Sequence, residues 1–369
     1  MPLDTAVIGA GTVSGVHLSG IAKNPRTNLV GVCDIDEQQA TSAARRYDID
    51  AYTDVDDLLS DRSLDWVHVC TPVQTHLEIA KKAIAAGVPL LIEKPVTETA
   101  DEVTELARLA EENDVPVSPV HQHLFKPAVL RVREMIDSGE LGRIRAVNLV
   151  FAGNTLPDEV NRGSWVFDLD GGEFEEGLPH PLYLLLGLGG YPTNRSDVCI
   201  STTLAGEYEH PFTYDSTQVQ YTTDDDVLCN ATVFAGGRPK REITVHGEKK
   251  TVTIDNHLQM VHSIGADFTS SPVSKTTQAL REAGSRITGI GRNVRLVLET
   301  RVSDDWETEK RGTTHYEQFD RTAMALESGS SMPVPLSSAR WTIALMNDIR
   351  TTASTEPDQP MIERTAVPK

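Results

Sequence analysis

The first residues place an apolar strand, a glycine turn and a helix in immediate succession, and this arrangement strongly limits the possible folds. Thr5 to Ile8 predicts a buried strand, Gly9-Ala10-Gly11 follows directly, and a helical pattern begins soon after. The first glycine permits a tight turn, and the second lets backbone amides approach a pyrophosphate at the helix N-terminus. Ser14 replaces the usual third glycine, and a lone glycine pair is more often an ordinary turn. The context favours a dinucleotide site at Gly9, Gly11, Thr12 and Val13.

Short apolar runs alternate with helical periodicity from Leu3 to about Pro119. This alternation is typical of βαβ units that build a parallel sheet. The predicted strands are Thr5 to Ile8, Leu29 to Cys33, Trp66 to Cys70, Pro89 to Ile92 and Val115 to Val120. Because parallel strands need helical crossovers of one hand, we expect a doubly wound α/β Rossmann domain.

Asp34 ends the second predicted strand, about 20 residues beyond the glycine turn. A carboxylate at this point accepts hydrogen bonds from the adenosine ribose hydroxyls and repels a 2′-phosphate, so NAD is favoured over NADP. The alternative is that Asp34 caps a predicted helix from Glu37 to Tyr47.

The character of the sequence changes after residue 123. Longer strands with β-branched or alternating residues follow, separated by turn signals such as Asp224-Asp225-Asp226, and they predict an α+β domain with a largely antiparallel open sheet. A chain of 369 residues is long for one core. We therefore expect a dinucleotide-binding domain over residues 1–123 and a substrate-binding and oligomerisation domain over 124–336. A helix over about 337–353 is expected to pack back on the first domain.

The composition excludes several classes of function. The formal net charge of −20, with only 11 lysines, predicts a halophilic protein that does not bind nucleic acid. The sequence contains neither a membrane span nor the pattern of a secretory signal, so a cytoplasmic location is expected. The cysteines lack metal or redox spacing and predict small buried side chains without disulfides; they are Cys33, Cys70, Cys199 and Cys229.

Two motifs at the carboxyl ends of predicted strands resemble those of the Gfo/Idh/MocA family of dehydrogenases. They are Cys70-Thr71-Pro72-Val73-Gln74-Thr75-His76 and Ile92-Glu93-Lys94-Pro95. Phe125-Lys126-Pro127 and the segment from Gly171-Gly172 to His180 also match family positions, so the resemblance covers nearly the whole chain. It implies a metal-free NAD-dependent mechanism and a homodimer or homotetramer. It also implies cofactor contacts from Thr71, Pro72, His76, Glu93, Lys94 and Gln122.

Lys94 is the first candidate catalytic residue. Oxidation of a secondary alcohol sends a hydride to nicotinamide and requires a group that takes the hydroxyl proton. A partly desolvated lysine beside the cationic ring of NAD⁺ can position, polarise or deprotonate the substrate hydroxyl. The alternative is an ordinary surface lysine after a strand.

By the same resemblance, His180 is the second acid–base residue, and Glu176 occupies a position that is usually aspartate. Pro179 and Pro181 make an uninterrupted helix from Glu176 unlikely, so we expect a helix to begin at Pro181 with His180 at its N-terminus. The helix dipole would then disfavour the imidazolium form. Glu176 is expected to orient His180, and the alternative for His180 is a cap or packing role.

Other residues are expected near the substrate. His121 and His123 occupy alternate positions of a predicted strand and should point the same way; with His180 they also raise the alternative of a metal site, which no carboxylate spacing supports. The resemblance implies that the segment containing Gln122 and His123 lies near the nicotinamide and the substrate entrance. Trp165 and Tyr183 line a sugar pocket or pack in the core.

The segment from Lys275 to Leu298 carries five basic residues and one acidic residue. It could clamp a phosphorylated sugar or touch anionic lipid, but a subunit interface or a solvated helix is favoured. Gly284, Gly289 and Gly291 are expected to weaken any long helix here.

These observations predict an NAD-dependent oxidoreductase acting on a hydroxyl or ketone of a sugar, sugar acid, cyclitol or sugar conjugate. One alternative is redox-neutral glycoside cleavage through a keto sugar with recycled NAD. The other is an NAD-binding regulator without catalytic activity, which the presence of both Lys94 and His180 disfavours.

Overall fold

The computed structural model describes residues 1–61, 63–161, 163–264, 272–302 and 305–355. Its first sheet is fully parallel and has six strands in the order β3-β2-β1-β4-β5-β6. The strands are β1 (Leu3–Ile8), β2 (Thr27–Cys33), β3 (Asp50–Tyr52), β4 (Trp66–Val69), β5 (Leu90–Ile92) and β6 (Val117–Pro119). The crossovers are α1 (Ser14–Lys23), α2 (Glu37–Tyr47), α3 (Val55–Asp61), α4 (Val73–Ala85) and α5 (Ala100–Glu112). This sheet confirms the predicted Rossmann architecture.

The second sheet has seven strands in the order β13-β12-β11-β7-β10-β9-β8, and only the β7–β10 pair is parallel. The strands are β7 (Ile144–Asn154), β8 (Cys199–Thr203), β9 (Ser216–Thr222), β10 (Leu228–Ala235), β11 (Lys240–Gly247), β12 (Thr251–Asp255) and β13 (Met260–Ile264). Buried Val219 and Tyr221 alternate with exposed Gln218 and Gln220. This alternation is typical of a sheet with one covered face, which confirms the mainly antiparallel open sheet.

Three helices pack on the covered face of the second sheet. They are α6 (Pro127–Asp137), α7 (Gly172–Gly177) and α8 (Pro179–Gly189). The leucine-rich α8 supplies much of the core, because Leu182, Leu184 and Leu185 are fully buried against the strands.

Helix α12 (Leu336–Ser354) packs against both α5 and α8. Ala339, Ile343 and Ala344 join the core of the first sheet, and three residues further along the helix join the core of the second: Leu345, Met346 and Ile349. Helix α11 (Thr314–Ser328) also returns to the first sheet, where Phe319 packs against Trp66. The chain therefore crosses between the two sheets more than once.

The basic segment lies within one helix of 31 residues, α9 (Pro272–Val302), which is followed by α10 (Trp306–Gly312). The expectation that its glycines would weaken a long helix was wrong. Helix propensity is a weak preference that tertiary packing overrides, and Gly289 is buried against Met260 of β13, where a Cβ atom would lie 3.3 Å from the side chain. Apolar residues on this helix remain more than half exposed, including Leu280, Ile287 and Ile290.

Three of the four cysteines are buried, as expected, whereas Cys199 is exposed on the edge strand β8; all four are free thiols. Among the described residues, no helix combines the length and apolarity needed to cross a bilayer.

Candidate active site

The glycine turn has the geometry that a pyrophosphate requires. Gly9 has φ +103°, and a Cβ there would lie 2.7 Å from the carbonyl carbon and oxygen of Cys70, so only glycine fits between the ends of β1 and β4. Around Gly11, in contrast, a Cβ would meet nothing within 4 Å. Helix α1 begins at Ser14 without a side-chain cap from Val13 and without an acidic residue in its first turn. Its amide groups therefore suit an anion beside the exposed Gly11 and Thr12.

Asp34 connects the glycine turn to the end of β2. Its Oδ2 accepts a hydrogen bond from the amide of Ala10 at 2.6 Å, and its Oδ1 accepts one from Asp36 N at 2.9 Å. Asp34 is not the N-cap of α2, because Asp36 accepts the hydrogen bonds from the amides of Gln38 and Gln39. The half-buried carboxylate is thus held beside the turn, where it has remaining lone pairs for hydroxyl groups.

His76 ties two loops of the site together. Thr71 and Pro72 lie between β4 and α4, next to the glycine turn. The ring of His76 is almost fully buried, with Nε2 2.7 Å from Thr71 O and Nδ1 3.0 Å from Pro95 O. Both ring nitrogens of His76 thus contact main-chain carbonyls, and the cofactor contact expected of His76 stays a prediction.

Lys94 follows β5 and reaches across to the second half of the chain. Its Nζ forms an ion pair with Glu176 Oε1 and lies 3.3 Å from Glu176 O. Both side chains are only about one-tenth exposed, at 11% and 14%. Glu176 thus contacts Lys94, and its expected role in orienting His180 stays a prediction. Its helix, α7, ends at Gly177, and a new helix starts at Pro179 after the single residue Leu178.

Tyr183 orients His180. Helix α8 starts at Pro179, two residues earlier than predicted, and His180 is its second residue. Its Nδ1 lies 2.9 Å from Tyr183 Oη, and its ring stacks on His123 with centroids 4.3 Å apart. Tyr183 is completely buried, which favours the core-packing alternative over a place in the sugar pocket. Its hydroxyl also accepts a hydrogen bond from His123 N at 3.2 Å and donates one to Gln122 Oε1 at 3.3 Å.

His121 and His123 do not alternate along a strand. Strand β6 ends at Pro119, and residues from Gln122 to Phe125 form a 3₁₀ helix. His121 is buried, stacks on Tyr183 at 4.2 Å and contacts Ser338 Oγ at 3.1 Å. Burial lowers the pKa of His121 to about 3. Trp165 is half exposed at 52%, in a 3₁₀ helix that spans Ser164–Asp168.

Glu93 is a buried carboxylate, and sequence reasoning missed its partners. Its Oε1 lies 2.9 Å from His17 Nε2, and its Oε2 accepts a hydrogen bond from Lys94 N at 3.0 Å. Burial alone would raise the pKa of Glu93, but the His17 hydrogen bond and the charges of His17, His315 and Lys94 outweigh it and hold the pKa at about 2. Glu93 is only 6% exposed, and its carboxylate holds the main chain of Lys94 in place. The cofactor contact expected of Glu93 stays a prediction.

A second buried histidine completes this cluster. His17 Nδ1 lies 2.8 Å from His68 Nδ1, and burial lowers the pKa of His68 well below its usual range. One sequence signal could have indicated this cluster: His68 lies inside the wholly buried strand Trp66–Val69, and a buried imidazole ring needs a polar partner.

Two family models match the chain. Residues 3–121 match the model of the oxidoreductase family with an NAD-binding Rossmann fold, and residues 129–253 match the GFO/IDH/MocA C-terminal domain.

Individual proteins are similar over most of the chain. An uncharacterized oxidoreductase of Synechocystis, sll0816, is 27% identical over 321 residues, which are 82% of this chain and 85% of the relative. Inositol 2-dehydrogenase of Rhizobium meliloti is 25% identical over 281 residues, 74% of this chain and 82% of that protein. The WlbA dehydrogenase from Bordetella pertussis, solved in complex with NADH and UDP-GlcNAcA, superposes with a TM-score of 0.70 at 18% identity, covering 96% of this chain and 97% of that chain. At that identity the superposition shows the fold.

The two family models follow one another along the chain in the same order as the two sheets. The glycine turn, Asp34 and the Glu93-Lys94 loop all lie within the first match, and Glu176 and His180 lie within the second. The chain therefore belongs to the GFO/IDH/MocA family of oxidoreductases, with an NAD-binding Rossmann fold.

Proposed function

We propose that this protein transfers a hydride between nicotinamide and a secondary hydroxyl or ketone carbon of a sugar, sugar acid, cyclitol or sugar conjugate. The observation that carries the proposal is the meeting of two elements at one cleft. Lys94, at the carboxyl end of β5, contacts Glu176 at the end of α7, and His180 begins the next helix. The carboxyl ends of parallel strands are where ligands bind in open α/β sheets.

NAD bound at the glycine turn would supply the hydride acceptor or donor. Gly11 and the N-terminus of α1 would hold its pyrophosphate, and Asp34 would accept hydrogen bonds from the adenosine ribose. The open space at Gly11 and the uncapped start of α1 support this placement.

The protein's own groups would handle the proton. Tyr183 donates its hydroxyl proton to Gln122, so His180 Nδ1–H donates to Tyr183 Oη and the lone pair of His180 lies on Nε2. This tautomer presents a base to the substrate hydroxyl. The Lys94 ammonium would hold the substrate oxygen, and Glu176 keeps that ammonium in place before the substrate binds.

The experiment is a screen of sugars, sugar acids, cyclitols and nucleotide sugars for NADH absorbance in molar KCl. Lys94→Ala and His180→Ala should still bind NAD and lose at least about 10²-fold in kcat. Lys81→Ala and His246→Ala, both distant from the site, serve as matched controls.

Three outcomes would contradict the proposal. Retained turnover in either active-site variant would remove that residue from the mechanism. Copurifying NAD with substrate cleavage but no net NADH would indicate redox-neutral glycoside cleavage. NAD binding without turnover on the whole panel would indicate a regulator.

A further inference from the structure

Two cations, Lys126 and Arg241, both contact Asn256, and no acidic partner is present for either among the described residues. Lys126 directly follows the 3₁₀ helix that carries His123, and Arg241 is the second residue of β11. Both are partly exposed, and the Arg241 guanidinium lies over the Phe151 ring at 5.8 Å. Within the described ranges, neither side chain forms an ion pair with a carboxylate.

Several other cations of limited exposure do have a carboxylate partner. Lys94 pairs with Glu176, Lys310 with Asp320, and Arg350 with Glu175. Charges taken out of water are costly unless they are paired. An unpaired set of cations in a cleft therefore indicates a site for an anion that the chain itself does not supply.

Lys126 and Arg241 lie near the proposed catalytic groups. The Lys126 main-chain N–H donates a hydrogen bond to His123 O at 3.3 Å, and the His123 ring stacks on His180. Burial and the charge of Arg241 together lower the pKa of Lys126 to about 8. Burial, followed by the charges of Lys126, Arg241, His315 and Lys94, lowers the pKa of His123. The two cations and the proposed catalytic residues therefore belong to one region of the structure.

Buried polar groups without partners occur in the same place. Asn256 links the two residues through its main chain. Its main-chain carbonyl accepts a hydrogen bond from Lys126 Nζ at 3.3 Å, and its main-chain N–H donates to Arg241 O at 2.8 Å. Asn256 is fully buried, and its Nδ2 has no hydrogen-bond partner among the described residues; the same holds for the buried His123 Nδ1. A buried donor without an acceptor costs free energy that a bound oxyanion would recover.

We propose that Lys126, Arg241 and Asn256 form an anion subsite that binds the negatively charged group of the sugar substrate. The ligand is a sugar carrying a carboxylate, phosphate or diphosphate. This inference rests on the proposed function and narrows its substrate class to anionic sugars.

The test compares matched neutral and anionic substrates: glucose with glucuronate, and N-acetylglucosamine with UDP-N-acetylglucosamine. Lys126→Gln and Arg241→Gln should each raise KM for the anionic member about tenfold or more, since a charge-assisted hydrogen bond is lost. The kcat should change less than about threefold, and KM for the neutral sugar less than about twofold. Lys126→Arg and Arg241→Lys keep the charge and should recover most of the affinity. A rise in KM for glucuronate would indicate that the subsite binds a carboxylate, and a rise for UDP-N-acetylglucosamine would indicate that it binds a diphosphate.

Lys240→Gln is the matched control, because Lys240 is the exposed neighbour of Arg241 on β11 and pairs with Glu242. Three results would overturn the subsite: a preference of the wild-type protein for neutral sugars, an unchanged KM in both glutamine variants, or an equal rise in KM for neutral and anionic sugars.

A binding measurement separates this proposal from the proposed function. Calorimetric titration of UDP-N-acetylglucosamine and of glucuronate into NAD-saturated protein needs no turnover. If no sugar is oxidised, but one of these anions binds and Arg241→Gln weakens that binding about tenfold, the subsite stands and the function fails. If sugars are oxidised and neither anion binds more tightly than its neutral partner, the function stands and the subsite fails.

Discussion

Replacing Tyr183 with phenylalanine should separate the positioning of His180 from the stability of the fold. The substitution removes a single oxygen that contacts three groups: His180 Nδ1 at 2.9 Å, His123 N at 3.2 Å and Gln122 Oε1 at 3.3 Å. The ring itself remains, so packing of the fully buried side chain and its stacking on His121 are preserved.

The expected magnitude follows from these contacts. Each lost hydrogen bond contributes about 1 kcal/mol, and a buried donor left without an acceptor, here His123 N–H, costs about 1 to 3 kcal/mol. The free energy of unfolding should therefore fall by about 2 to 4 kcal/mol. Because Nδ1 no longer fixes the tautomer of His180, kcat should fall by about 10²-fold, with NAD affinity unchanged.

The measurements are urea denaturation, NAD titration and steady-state kinetics, with Tyr221→Phe as the matched control. Tyr221 is also buried, and its hydroxyl donates to Gly190 O at 2.9 Å, far from the catalytic residues. The control should lose stability and keep kcat. If Tyr183→Phe loses stability but keeps kcat within about threefold, His180 does not depend on Tyr183 and the assigned tautomer is wrong.

Four further predictions concern the cofactor site and the conditions for stability. Asp34→Ala should shift the ratio of kcat/KM for NAD over NADP by at least about tenfold toward NADP, and an unchanged ratio would exclude the ribose contact. Gly9→Ala should abolish NAD binding or destabilise the fold by at least about 2 kcal/mol, since its Cβ would lie 2.7 Å from a backbone carbonyl, whereas Gly15→Ala, with open space around it, should do neither in calorimetry and urea denaturation. Stability in urea should decline as the pH falls below about 6.5: the unfolded chain then protonates His121, while burial holds the pKa of His121 at about 3 in the folded chain, so the free energy of unfolding falls by up to about 1.4 kcal/mol per pH unit between these two values. The contribution of Glu93 is lost as the pH falls from about 4.5 toward 2. A flat profile from pH 7 to 4 would contradict these burial assignments. Transfer from molar KCl to dilute buffer should lower the unfolding temperature, because the net charge of −20 is then unscreened, and an unchanged temperature would contradict the halophilic assignment.

Local patterns were sufficient for the parts of the fold that are local. The strand, glycine turn and helix around Gly9 and the buried runs of the first sheet follow from periodicity. Strand β3 was missed because it has only three residues and lies at the exposed edge of the sheet.

Contacts between distant segments were not predictable from those patterns. The ion pair between Glu176 and Lys94 joins residues 82 positions apart, so no local pattern predicts it. Lys126 and Arg241 belong to segments that meet only in the folded chain, because α6 contacts β12 and β12 pairs with β11. No short motif contains either relation.

Helix α12 has a consequence for how this protein can be divided. One stretch of the helix belongs to the core of the first sheet and the next stretch to the core of the second, while Arg350 binds the buried Glu175. Cutting the gene after residue 123 would therefore give a fragment whose apolar groove, normally filled by Ala339 and Ile343, faces water. A chimaera that exchanges the substrate half with that of a relative has to treat residues 336–354 as a shared part of both halves.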